Sequence, residues 1–136
     1  FPLKTPIRLV VDHIKWLYTK INIQHGCVDQ TGTGEAPVEE LSFDIRDIEG
    51  VAMYAAQLKH QVAMYGYIMI EREQLALPND MELITQMAEQ TFSYSSIKTK
   101  IETEEKGILI YSHPEGRHDD QLWALLMAMY ATRKLK

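Results

Sequence analysis

The sequence predicts an α/β fold, and three observations predict it. Apolar residues recur at helical spacing in four long stretches, at 7–21, 57–73, 79–90 and 120–131. Between the first two lies a short apolar run, 23–28, with the length and bounding turn of a buried strand. Residues 94–112 alternate and then turn on charged residues and Gly107, the pattern of a β-hairpin. A chain of 136 residues makes one domain with its own core.

Taken in order, Pro2 and Pro6 mark an irregular entry. Thr5 then Pro6 reads as an N-cap followed by proline at the first helical position. Ile7, Val10, Val11, Ile14, Leu17, Tyr18 and Ile21 form one stripe up to about Asn22, with His13 beside it as a surface or packing residue. The strand at 23–28 ends at Asp29. Ligands gather beyond the carboxyl ends of strands in open α/β sheets, which suits Asp29 to chemistry. A turn Asp bonding its own backbone fits the same position equally well.

Thr31-Gly32-Thr33-Gly34 permits a sharp turn, because glycine tolerates positive φ. A short helix follows over 35–41, with Pro37 in its first turn. The loop is not a P-loop, since no Gly-Lys-Ser/Thr follows, and the third glycine position of a dinucleotide fingerprint holds Pro37. Residues 43–48 carry acids between apolar positions and read as a loop or edge segment, and 51–55 admits a strand. The helix at 57–73 puts Leu58, Val62, Tyr65 and Met69 on one side, with Lys59 in its first turn. Residues 74–77 are extended up to Pro78. Asn79 or Asp80 caps the next helix, with Leu83, Ile84, Met87 and Ala88 inward. The hairpin pairs a strand at 94–103 with one at 108–112 across a turn at 104–107. Lys98 and Lys100 lie on its polar face.

The last stretch, GRHDDQLWALLMAMYA at 116–131, sets His118, Asp119 and Asp120 where a loop enters a helix. Leu122, Leu125, Leu126 and Met129 form that helix's apolar face. Asp119 or Asp120 can cap it. One cap needs one carboxylate, however, and two adjacent acids beside a buried helix repel each other and lose hydration. A divalent cation shared with another acid cancels that cost.

The net charge of −5 excludes a protein whose main task is to coat nucleic acid, which needs clustered Lys and Arg. It leaves room for a nuclease whose acids are offset by cations. Cys27 is the only cysteine, so an intramolecular disulfide is impossible, and its apolar run suits a buried thiol. No run approaches the roughly 20 apolar residues of a membrane span, and no signal peptide is visible. A start at Phe1 rather than Met is expected of a fragment or processed chain.

HDDQLWAL, at 118–125, resembles the end of the nuclease domain of large terminase subunits, the viral DNA-packaging proteins. VDQTGTGEAPVEEL, at 28–41, resembles the same family's acidic strand, Thr-Gly loop and helix. Lys59 and QLALPND, at 74–80, fall where such sequences carry a Lys and a strand ending in Pro. The four motifs come in order and cover nearly the whole chain.

The resemblance implies a ribonuclease H-like mixed sheet flanked by helices, with a β-hairpin before the last helix. It implies a DNA endonuclease with two divalent cations, Mg2+ or Mn2+, on Asp29, Asp119 and Asp120. Such cations activate a water and stabilise the leaving oxygen. Lys59, Lys98, Lys100, Arg117 and His118 become candidates for contacting double-stranded DNA, and Thr31, Gly32 and Gly34 for the loop that orients Asp29. Expected partners are DNA, other terminase segments, portal or capsid components, and a second copy of the chain; the expected setting is the host cytoplasm during virus assembly. The family carries a further acid on its first strand, and nothing here matches it. The first three strands and one ligand are therefore expected to be missing, with activity of the chain alone in doubt. Two alternatives stand beside this: a non-catalytic interaction module of the same ancestry in a provirus, and a nucleotide-binding α/β domain using the Thr-Gly-Thr-Gly loop.

Overall fold

The structure is a computed structural model that describes residues 4–97 and 106–135. It is a mixed α/β fold rich in helix with small sheets. The chain divides into two compact units, one of residues 1–54 and 131–136, the other of residues 55–130. Among the described residues no helix is long and apolar enough to cross a membrane.

The first unit opens with α1, Ile7–Lys20. Pro6 is its N-cap, one position later than expected, and the Pro6 carbonyl accepts the Leu9 N–H at 2.9 Å. The β1 strand, Gly26–Asp29, follows, and Asp29 is its last residue. A short 3-10 turn, Gly32–Gly34, leads into α2, Glu35–Asp44. Then comes β2, Ile48–Val51, parallel to β1 with Gly26 opposite Ile48 and Asp29 opposite Val51. Parallel strands need a crossover, and α2 supplies it. Val11 of α1, Leu41 of α2 and Ile48 of β2 form the buried centre, with Ile14, Tyr18, Val28 and Ile45 packed around them. The stripe expected on α1 therefore does face a core.

Two expectations shift here. The segment at 43–48 holds the end of α2, a turn at 45–47 and the first residue of β2, and the second strand covers Ile48–Val51 rather than 51–55. Its Glu49 and Gly50 hid it, since both are poor strand residues. Glu49 is tolerated because Arg133, Lys134 and His25 surround its carboxylate.

The second unit contains α3, Ala56–Glu71, and α4, Met81–Glu89. Asp80 caps α4, its Oδ1 accepting the Leu83 N–H at 3.0 Å. An antiparallel hairpin follows, β3, Thr91–Ile97, and β4, Lys106–Ser112, with Phe92 opposite Tyr111 and Tyr94 opposite Leu109. The first strand thus starts three residues before the alternation suggested, because pairing with Ser112 extends it. The rest of the expected first strand, with Lys98 and Lys100, and the start of the expected turn lie outside the described residues. α5, Asp120–Ala131, closes the unit.

Val62 and Ala63 of α3, Leu83 of α4, and Leu122, Leu126 and Met129 of α5 are buried. Gly66 lets α3 approach α5 closely: a Cβ there would lie 2.4 Å from Leu126 Cδ2. The inward face of α4 is rotated from the expected one. Ile84 and Ala88 are exposed, and Gln86 is buried beside Leu83.

Candidate functional site

Asp29 ends β1, and the strand ladder continues one residue past it through Gln30 N–H to the Val51 carbonyl, 3.1 Å. The Asp29 side chain is exposed to solvent. Its Oδ1 accepts both the Thr31 N–H, at 2.8 Å, and the Thr31 hydroxyl, at 2.5 Å. This is a turn in which a short carboxylate bonds its own backbone two residues on. Its Oδ2 has no hydrogen bond among the described residues. Gly32 sits at φ +61°, the left-handed region that favours glycine. Gly34 packs so closely that a Cβ would lie 2.2 Å from the Asp29 carbonyl oxygen. Thr31, Gly32 and Gly34 together thus fix the direction of Asp29. As an anion cradle the loop is poor. The Gly34 N–H already bonds the Thr31 carbonyl at 3.2 Å, and Glu35 places a carboxylate in the first turn of α2, where a phosphate would sit.

In the second unit Asp119 directly precedes α5, and its carbonyl accepts the Trp123 N–H at 3.0 Å. Its carboxylate is largely buried. Oδ2 accepts the Trp123 indole Nε1–H at 2.7 Å, and Oδ1 lies 3.8 Å from His113 Nε2. The indole is held in turn. Tyr111 meets it edge-on with ring centroids 5.7 Å apart, and Lys59 Nζ lies 4.3 Å from its ring centroid. That cation–π contact brings Lys59 to the neighbourhood of Asp119. His60 stacks beside Tyr111 and lies within 3.4 Å of its hydroxyl. Burial raises the Tyr111 hydroxyl above its ordinary pKa of 10.0, so it stays neutral at physiological pH.

Asp120 behaves differently. Its side chain is 90% exposed, and its near neighbour is His118 at 3.9 Å. Arg117 pairs with Glu89 of α4 at 3.2 Å, so its charge is partly offset where the sequence suggested a free phosphate contact. Arg117 and His118 line a cleft of about 390 Å³ with Glu82, Thr85, Gln86 and Glu89. The acids on that α4 face oppose an approaching phosphate backbone.

Asp119 stands at the N-cap position of α5 through its carbonyl, but among the described residues neither the Asp119 nor the Asp120 side chain bonds a first-turn N–H. The Leu122 N–H is taken by Gln86 Oε1 at 3.0 Å, from 36 residues away. Sequence reasoning missed Gln86, His113 and Trp123. The i, i+4 spacing of Asp119 and Trp123 was the available signal for one of them; nothing local pointed to Gln86.

The structure therefore gathers Lys59, His113 and Asp119 around Trp123, and Arg117 and His118 beside α4. Asp29 belongs to the first unit, the acidic doublet to the second. Carboxylate oxygen is the donor that Mg2+ and Mn2+ take, and Asp29 Oδ2 and Asp119 Oδ1 are each without a hydrogen bond among the described residues. Among the described residues no three His, Cys, Asp or Glu side chains already form a group that could hold a metal ion.

Cys27 lies on β1 beside the Arg133 guanidinium at 3.9 Å. Burial raises the thiol pKa and outweighs the lowering by Arg133, as expected of an unreactive cysteine. No family model matches the chain, and no curated protein or solved structure matches it.

Proposed function

We propose that the chain is a nuclease portion of a DNA-packaging terminase, built on a ribonuclease H-like sheet and acting on double-stranded DNA with Mg2+ or Mn2+. The observation that carries this reading is the placement of Asp29. It is the last residue of a parallel strand, aimed by its own Thr-Gly turn, and followed by a crossover helix and a second parallel strand. Ligands gather at that end of such strands. The sequence resemblance at 28–41 and 118–125 adds the second part, an acidic doublet opening α5.

In this reading Asp29, Asp119 and Asp120 hold the cations, which when bound activate water and stabilise the leaving oxygen. The Thr31 donors keep Asp29 pointed outward. Lys59, Lys98, Lys100 and His118 contact the DNA backbone, and Arg117 does so on release from Glu89. Other terminase segments, portal or capsid components, and further copies are the partners that this role calls for, in the host cytoplasm. The family's first-strand acid has no match in residues 1–136. That favours a second reading, a non-catalytic interaction module of the same ancestry.

The test is manganese titration of the chain, followed by amide line broadening and by nicking of supercoiled plasmid. The nuclease reading expects broadening at both Asp29 and Asp119, and nicking that disappears in Asp29→Ala. Broadening without nicking selects the non-catalytic reading. Broadening at neither acid ends the metal-dependent reading.

A further inference from the structure

We infer that the open edge of β3 pairs, antiparallel, with the same strand of a second copy of the chain; this stands independently of the metal-dependent reading above. Among the described residues β3, Thr91–Ile97, has β4 as its one strand neighbour. Its register with β4 runs from Thr91 opposite Ser112 to Ile97 opposite Lys106 without a bulge. A regular edge strand turns every second N–H and C=O outward, as a template for another strand. Folded chains guard such an edge with Lys, Pro, a bulge or a covering element. The segment TFSYSSI contains no charged residue and no proline. β4 is better guarded: it carries Lys106, and His60 of α3 stacks beside its Tyr111. The sheet of the first unit has Asp29 and Glu49 on its strands.

Charge and register together choose a second copy as the occupant. Each chain carries a net charge of −5, so two copies meet best where a surface has no charge to oppose. The β3 edge is also complementary to itself. Antiparallel pairing about Ser93 sets Phe92 of one copy opposite Tyr94 of the other, twice over, which is the reciprocity of a two-fold interface. Residues directly opposite share a face of the sheet. Phe92 is 67% exposed and Tyr94 78%. Their cross-strand neighbours on β4, Tyr111 and Leu109, are only half-exposed. The packed face of the hairpin therefore stops at β4, and the two rings of β3 overhang it. Pairing between copies covers them ring against ring, while Thr91 and Ser93 stay on the opposite face. Four rings of this size cover on the order of 500 Å², below the roughly 1,200–2,000 Å² of stable interfaces. The dimer is therefore reversible and concentration-dependent.

The experiment is sedimentation velocity of the full chain from roughly 10 μM to 1 mM, the range that a small interface calls for. Amide hydrogen exchange is read at both ends of that range. The mass shifts toward that of a dimer, and exchange slows within 91–97 but not within 7–20. Ser93→Lys sets two cations opposite each other, and Ser93→Glu two anions; each weakens the dimer by about 5-fold. An equimolar mixture of the two variants restores it, because Lys then faces Glu. If a variant at 93 does not fold, Tyr94→Thr decides, since it keeps strand propensity, removes the ring and weakens the dimer likewise. A chain that stays monomeric throughout overturns the inference. So does a dimer that these folded variants leave intact, or one whose slowed amides lie outside 91–97. A mixture that associates no better than its two parts overturns the pairing about Ser93, and the inference with it.

Discussion

Asp29 and Asp119 are the same side chain at the edge of a regular element, yet they are held by different means. Asp29 is exposed and tied to Thr31, two residues away. Asp119 is nearly buried; it accepts the Trp123 indole N–H, and that indole is held by Tyr111 and Lys59, while Gln86 from another helix takes the adjoining Leu122 N–H. A local turn forms wherever its residues occur in order; a tertiary arrangement exists only when the unit is folded. The first carboxylate should therefore tolerate changes outside its loop, and the second should respond to changes on α4.

The strongest way to break the comparison is Gly34→Ala. A Cβ there meets backbone, the Asp29 carbonyl oxygen at 2.2 Å, which a rotamer change cannot relieve. The variant should lose about 1–3 kcal/mol in urea denaturation, as overpacking does. Its amide shift changes should stay within 28–36; changes spread over the whole unit would mean that Asp29 is not locally held.

Gln86→Met comes next. It leaves a buried Leu122 N–H unpaired, at about 1–2 kcal/mol by the same measurement. Hydrogen exchange should quicken at the start of α5. Unchanged exchange there would mean that Asp119 had taken over the cap with no loss.

A third carboxylate sharpens the contrast through pH. Burial alone would raise the Glu49 pKa, but hydrogen bonds from Lys134, His25 and Arg133 outweigh it and hold the carboxyl below its ordinary 4.5. A depressed carboxylate contributes stability that is present above the unfolded value and lost as pH falls through the folded one. Wild type should therefore be more stable than Glu49→Gln by about 1 kcal/mol near neutrality. The difference should shrink as pH falls below 4.5 and vanish once pH has passed through the lower folded value; a difference constant with pH would show that Glu49 acts by packing.

The smallest effect belongs to Thr31→Val. It removes one exposed hydroxyl bond to Asp29 but keeps the backbone one. A loss of about 0.5 kcal/mol is expected by thermal unfolding. A loss several times larger would mean that the Asp29 turn is not the solvated, local device described here.

Much of the frame was legible. The stripe from Val11 through Ile14 and Tyr18, the strand ending at Asp29, the cap at Asp80 and the apolar face of α5 all follow from local periodicity and capping chemistry. The misplaced elements share a cause. β2 was obscured by Glu49, whose charge is acceptable only because Arg133 and Lys134 come from the far end of the chain. The face of α4 was misjudged because Gln86 looks like a surface residue until its partner on α5 is known.

The sequence alone determined where helices and short strands arise, and which carboxylates stand at their ends, because those depend on residues within one or two turns of each other. Tertiary structure alone decided which polar groups could be buried. A buried Gln or Glu is stable only when a partner from another element satisfies it, and that partner is invisible until the chain has folded.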